Sequence, residues 1–228
     1  LKNQALTTQS GKLAEFVWQF PGIAYNTDKI TGDLVPKTLP DMLKPALKGK
    51  IASTPYAAQF NVLATPDLWG EQKATEYVQN LSNQIGGLIS CGEYDRLASG
   101  EFWALVLDCS GSFVDLAKAQ GKPLAHVIPS DAAWYNPIYM AVPNNSVHPN
   151  AAKLWINLVD SPEGQALLFQ ETANDDPAIP GSKSNSDYQK LKSAGVKVVA
   201  ADVGFLQRND PAVIAKHTTQ FISILTKK

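Results

Sequence analysis

A chain of 228 residues is long enough for one large core or two smaller ones, and 44% hydrophobic with 18% charged residues is an ordinary globular balance. A formal net charge of -1 argues against a nucleic-acid partner, which calls for a basic excess. No apolar run is long enough to cross a bilayer, and no charge block, low-complexity tract or internal repeat stands out.

The opening Leu1-Lys2-Asn3-Gln4 lacks the basic-then-apolar order of a secretory leader, as a mature or trimmed chain also would. Lys12 to Tyr25 reads as extended, interrupted at Pro21-Gly22, and Asn26-Thr27-Asp28 is a polar turn. Leu39 to Leu43 opens a short helix with Asp41 near its start. Gly49 to Ala52 is a short buried strand ending at Ser53-Thr54-Pro55, and a helix is expected from Tyr56 to Ala64 with Pro55 at its first position. Glu71 to Leu81 carries Ala74, Tyr77, Val78 and Leu81 on one helical face. Gly86 to Ser90 reads as a strand and Glu93 to Ala98 as a short helix.

Asp108-Cys109-Ser110-Gly111-Ser112-Phe113 is the stretch around which the chain is organised. It joins the apolar strand Phe102–Leu107 to a helix over Val114–Gln120. A strand that passes through small hydroxyl residues into a helix gathers backbone N–H groups and the positive helix end at one point, suited to an anionic or polar group. The competing reading makes Ser110 or Ser112 a helix cap only. Leu124 to Ile128 is a further strand, and Pro137 to Val142 is apolar and extended. The remainder is helical: Pro149–Val159, Pro162–Gln170, Tyr188–Lys192 and Pro211–Leu225, the last capped by Asp210. Strands alternating with helices indicate an α/β layer structure. Cys91 and Cys109 fit one disulfide or two buried thiols, and match neither zinc spacing nor a Cys-x-x-Cys pattern.

Gly22 to Asp28, Leu39 to Pro45, Lys48 to Ala52, Ala98-Ser99-Gly100-Glu101, His148 to Leu154 and Ser161 to Gln165 occur in one order that resembles bacterial extracellular solute-binding proteins of ABC importers. The similarity is to the cluster that binds ferric iron, thiamine, polyamines and phosphonates or sugar phosphates. It implies an α/β fold of the type 2 periplasmic-binding kind, with two lobes joined by crossing segments. On that pattern residues 1–27 end the first lobe and make the first crossing near Ile23 to Thr27. Residues 28–135 form the second lobe. Residues 136–228 make the second crossing, near Asn136 to Val142, and return as helices to the first lobe. Only 21 residues precede Gly22, where the family carries about a hundred. The expectation is therefore a fragment with one complete lobe and a partial, mainly helical remainder. The apolar faces of Ala152, Leu154, Trp155, Leu158, Leu167, Leu168 and Phe169 would lack packing partners.

The resemblance implies capture of a small-molecule solute and delivery to a membrane permease, in the periplasm or another extracytoplasmic space, with no cofactor, nucleic acid or membrane insertion. That location permits a Cys91–Cys109 disulfide. Ferric-binding relatives place paired tyrosines at the turn held here by Cys109 to Ser112, so iron is disfavoured. A phosphate-, phosphonate- or carboxylate-bearing solute fits the hydroxyls and amides better, with iron or a polyamine as the alternative. The candidate ligand-binding residues are Thr54, Tyr56, Asp108, Ser110, Gly111, Ser112, Trp134 and Tyr135. Asp108 fits either an amine contact or a turn cap, and Trp134 and Tyr135 either a ligand wall or packing between lobes. Catalysis is not expected. His126, His148 and His217 lie apart with no metal spacing, and Ser110-Gly111-Ser112 lacks the frame of a nucleophile elbow.

Overall fold

The structure, a computed structural model, describes residues 13–57, 59–177, 179 and 181–227. Lys12, at the start of the expected extended run, and Ala58, inside an expected helix, lie outside them.

In chain order the strands and helices begin with β1 (Ala14–Gln19), β2 (Gly22–Asn26), β3 (Ile51–Ser53), α1 (Phe60–Leu63), α2 (Glu71–Gln84) and β4 (Gly87–Leu88). Next come α3 (Tyr94–Ala98), β5 (Ala104–Asp108), α4 (Gly111–Ala119), β6 (Leu124–Val127) and β7 (Ala133–Met140). The chain closes with α5 (Pro149–Val159), α6 (Pro162–Thr172), α7 (Lys183–Ser193), β8 (Val198–Ala200), α8 (Val203–Arg208) and α9 (Pro211–Leu225).

Five strands form one sheet in the order β4-β3-β5-β2-β6. Strands β3, β4 and β5 are parallel, and β2 runs antiparallel to β5 and β6. Every residue of β2, β3 and β5 is buried, as expected of strands covered on both faces. One face packs Ile23, Val106 and Leu107 against Phe60, Tyr77, Leu81 and Phe221. The other packs Ala24 and Leu105 against Tyr94, Leu97, Val114 and Ala117. This is the complete lobe of the two-lobe α/β architecture. Three strands, β1-β7-β8, form the second sheet, and with α5 to α7 they make the partial, mainly helical remainder.

Residues 23–27, expected as the first crossing, lie largely within the five-stranded sheet; the change of sheet falls between Gln19 and Gly22. Only Phe20 and Pro21 separate β1 from β2, so the chain leaves one sheet and enters the other within two residues. The return crossing falls between Val127 and Ala133, ahead of the expected Asn136 to Val142, because β7 is already paired with β1 from Asn136 to Met140. Residues 136–228 also do not return as one block. Helix α9 lies on α1 and α2: Phe221 meets Phe60 edge-on at 6.4 Å, and His217 faces Glu71 at 3.6 Å. Helix α8 is tied to the same lobe through Asp67, which accepts from Asn209 Nδ2 at 2.6 Å.

The helix expected over Tyr56–Ala64 is shorter, because Ala57 and Gln59 adopt left-handed backbone (φ 49° and 70°) and delay its start to Phe60. Helix α7 begins at Lys183, five residues before the expected start, and β8 and α8 were not anticipated. On α5 and α6, Leu154, Trp155, Leu158, Leu167 and Phe169 are exposed, Trp155 by 61%.

Candidate functional site

The carboxyl ends of β3, β4 and β5 lie side by side, which brings Ser53-Thr54, Ser90-Cys91 and Asp108 to Ser112 to one edge of the sheet. Strand β5 reaches that edge through a bulge. Gly22 pairs with Asp108 and Ile23 with Val106, so Leu107 is the extra residue, with φ 56°. Val106 and Leu107 consequently share one core, and Asp108 turns to the opposite face. There Asp108 Oδ2 accepts from the Tyr94 hydroxyl at 2.8 Å. Burial raises the Asp108 pKa to about 7, opposed by that hydroxyl and by the amides of Cys109 and Ser110.

Cys91 and Cys109 form a disulfide with Cα atoms 5.9 Å apart, pinning the turn after β4 to the turn after β5. Ser110 then caps α4: its Oγ accepts from the Ser112 amide at 3.3 Å, and the two hydroxyls lie 3.2 Å apart. Two close approaches place the α4 terminus against β6. A Cβ on Gly111 would lie 2.7 Å from His126 Nδ1, and one on Gly22 would lie 2.6 Å from His126 Nε2 and 2.3 Å from the Val127 carbonyl oxygen. His126 is wedged between two bare backbones. Its Nε2 is sealed from solvent and has no hydrogen-bond partner among the described residues. Burial, with Lys183 adding and Asp187 opposing, lowers its pKa to about 4.

Ser110, Gly111, Ser112 and His126 share a tight pocket of about 30 Å³ with Trp18, Phe20, Lys183 and Asp187. It opens alongside a groove of about 400 Å³ lined by Asp115, Lys118, His126, Lys183, Asp187 and Lys190. Lys183 lies 3.0 Å from Asp115 on α4 and 2.6 Å from Asp187 on its own helix. Burial lowers the Lys183 pKa, but the two carboxylates outweigh it and hold the ammonium above its ordinary value. A further groove of about 600 Å³, between β1, the chain after β7 and α5, contains none of these residues.

The candidate residues therefore separate. Ser110, Gly111 and Ser112 come together in the pocket, with Ser110 almost wholly buried as cap and lining. Asp108 is fully buried beneath it, paired with Tyr94, and meets no solvent. Trp134 is also fully buried and belongs to the main core, so it makes no wall of a solvent-reached cleft. Tyr135 stacks on Trp18 at 3.7 Å beside Tyr188, as part of an aromatic block shared by β1, β7 and α7. Thr54 is buried at the end of β3. Tyr56 is 41% exposed and its hydroxyl accepts from the Cys91 amide at 2.9 Å, bracing the disulfide turn. Sequence reasoning missed His126, Lys183, Asp115 and Asp187. The lysine sits in the segment before the expected start of α7, where only its Asp187 neighbour at i,i+4 gave a signal. Among the described residues no cluster of potential metal ligands occurs, and no helix is long and apolar enough to cross a membrane.

A family model described as bacterial extracellular solute-binding protein matches residues 1–202. An uncharacterized protein of Haemophilus influenzae is 26% identical over 157 residues, and the match spans 66% of this chain but only 45% of that relative. Among solved structures, the substrate-binding protein of an ABC transporter from Agrobacterium tumefaciens superposes with a TM-score of 0.77 at 15% identity, over 97% of this chain and 69% of that one. AfuA from Actinobacillus pleuropneumoniae, solved with fructose-6-phosphate, gives 0.65 at 20% identity, over 95% and 69%. The spermidine/putrescine-binding protein PotD of Streptococcus pneumoniae gives 0.68 at 14%, over 99% and 73%.

Proposed function

The chain belongs to the bacterial extracellular solute-binding protein family, and on that premise we propose that it captures a small polar solute bearing a phosphate, phosphonate or carboxylate group and hands it to the permease of an ABC importer. It is a binder and not a catalyst, working in the periplasm or an equivalent extracytoplasmic space.

One observation carries the anionic reading. The amino terminus of α4, with the Ser110 and Ser112 hydroxyls, opens where three parallel strands end, and a lysine stands in the same pocket. Crevices beyond the carboxyl ends of parallel strands are the usual ligand positions in α/β sheets. Amides at a helix start favour negative charge. The pocket is far too small for an organic solute as it stands, so entry requires α4 and α7 to part. Solute binding then favours the reclosed arrangement through contacts made only there.

A second reading rests on Asp115 and Asp187. These two carboxylates already hold one ammonium, that of Lys183, and an amine solute would suit the same pair.

The test is thermal shift and calorimetry on the full-length protein with sugar phosphates, phosphonates, dicarboxylates, spermidine and ferric iron. Stabilisation by an anion without turnover is the expected result. Ser110→Ala with Ser112→Ala should weaken that anion more than about tenfold, a loss of about 1.4 kcal/mol, while the fold survives. Unchanged affinity in the double variant would remove the assigned role, and release of product would return the protein to the enzymes.

A further inference from the structure

Lys183 stands at the first turn of α7, and its surroundings do more than solvate it. Asp175 fixes the backbone there, accepting from the amides of Lys183 and Ser184, and Ser182 caps the helix. The side chain leaves this rigid base and crosses to α4, reaching Asp115 at 3.0 Å, while Asp187 holds it from behind at 2.6 Å. Lys190 in turn lies 3.1 Å from Asp187, which gives Asp187 a second cation. If Lys183 swung away, Asp187 would keep a partner and Asp115 would stand beside the groove. The cation is thus held by a shared, replaceable pair.

The same ammonium lines the pocket formed by the α4 amino terminus, the two serines and His126, whose buried Nε2 has no hydrogen-bond partner among the described residues. Among the described residues lining that pocket, Lys183 is the one full positive charge, since His126 is held neutral at pH 7 by burial. The charge able to meet an anion is therefore spent on an internal bridge that also ties α7 to α4.

We propose that Lys183 is the specificity-determining counter-ion of this site and the latch of its mouth: its bridge to Asp115 holds α7 against α4 without solute, and an anionic group seated at the α4 amino terminus beside the Ser110 and Ser112 hydroxyls takes the ammonium in exchange. The inference rests on the anionic reading above. Transfer from a carboxylate to a solute anion keeps the lysine paired throughout, so the exchange avoids leaving a half-buried charge bare. A neutral solute has no charge to offer Lys183, and an amine would have to compete with it for Asp115 and Asp187.

The experiment measures affinity by calorimetry for glucose-6-phosphate, fructose-6-phosphate, inorganic phosphate and spermidine, using the wild-type protein and Lys183→Met, Lys183→Arg and Asp115→Asn. Far-UV circular dichroism confirms that each variant is folded. The expected result is phosphate-ester binding in the wild type, a loss of at least about tenfold in Lys183→Met, partial recovery in Lys183→Arg, and tighter binding in Asp115→Asn, where the latch is weakened and the cation kept. Phosphate-ester binding that Lys183→Met leaves unchanged overturns the counter-ion role while the anionic reading stands. Weaker binding in Asp115→Asn overturns the latch. A wild type that binds spermidine and no phosphate, with spermidine tighter in Lys183→Met, overturns the anionic reading together with the inference.

Discussion

Tyr94 and Asp108 share a hydrogen bond of 2.8 Å in the core directly beneath the disulfide turn, with the carboxylate wholly out of water. One phenolic donor and nearby amides do not replace the lost hydration, so the Asp108 pKa rises to about 7 from 3.8. Between those values the folded protein keeps a proton that the unfolded chain has released. Stability contributed by this group is therefore present at low pH and lost as pH rises from about 4 to about 7, by up to about 4 kcal/mol. Urea unfolding from pH 4.5 to 8 should show Asp108→Asn losing this term, so that the opposing His126 contribution is uncovered and the variant gains stability as pH rises through that range. An identical slope in the variant would contradict the assignment.

His126 works in the opposite sense. Its pKa falls from 6.5 to about 4 through burial and the neighbouring Lys183, so below pH 6.5 the unfolded chain gains a proton that the folded protein refuses. Stability from this group is lost as pH falls from about 6.5 to about 4. The two groups nearly cancel over that range in the wild type. Replacing the histidine with His126→Phe should expose the Asp108 term, giving a protein whose urea midpoint climbs on acidification to pH 4.5. A midpoint that still falls on acidification would show that His126 does not carry the opposing term.

The glycines that grip His126 should differ in cost. Gly111→Ala pushes against an imidazole, which can tilt, and about 1–2 kcal/mol of destabilisation is expected. Gly22→Ala pushes against the Val127 carbonyl oxygen, which is backbone of the paired edge strand. Its cost should exceed that of Gly111→Ala by about 1 kcal/mol or more in denaturant unfolding. The reverse order would mean that β6 yields more easily than the ring.

Removing the Cys91–Cys109 bond with a double serine replacement frees a loop of 18 residues in the unfolded chain, worth about 3 kcal/mol by chain entropy. Tyr56 and Ser110 both lean on that turn, so hydrogen exchange at the Cys91 and Ser112 amides should accelerate more than in α2. Uniform acceleration would place the disulfide outside the site.

The alternation of strands and helices, the α4 cap at Ser110 and the amphipathic face of α2 were legible in the sequence because each depends on neighbours a few residues apart. Trp134 was legible only as an aromatic near a crossing. Whether its ring faces solvent or core depends on β8 and α8, and neither short element announces itself by periodicity. The early end of the region before α1 was hidden for a similar reason: Ala57 and Gln59 in left-handed backbone have no residue-type signature. Lys183 and Asp115 lie 68 positions apart in the chain, and nothing local couples them.

Because α9 finishes on α1 and α2, the described chain passes between the two bodies three times: at Pro21, through the stretch after Val127, and again beyond Ala200. Two straps would define a single line to swing about, like a door. A third strap, anchored at Asp67 well away from the others in sequence, resists a plain swing and favours a sliding twist of one body over the other. Opening of the mouth at α4 should accordingly be felt at the far end of the molecule, as strain where the last helix meets the loop around Asp67.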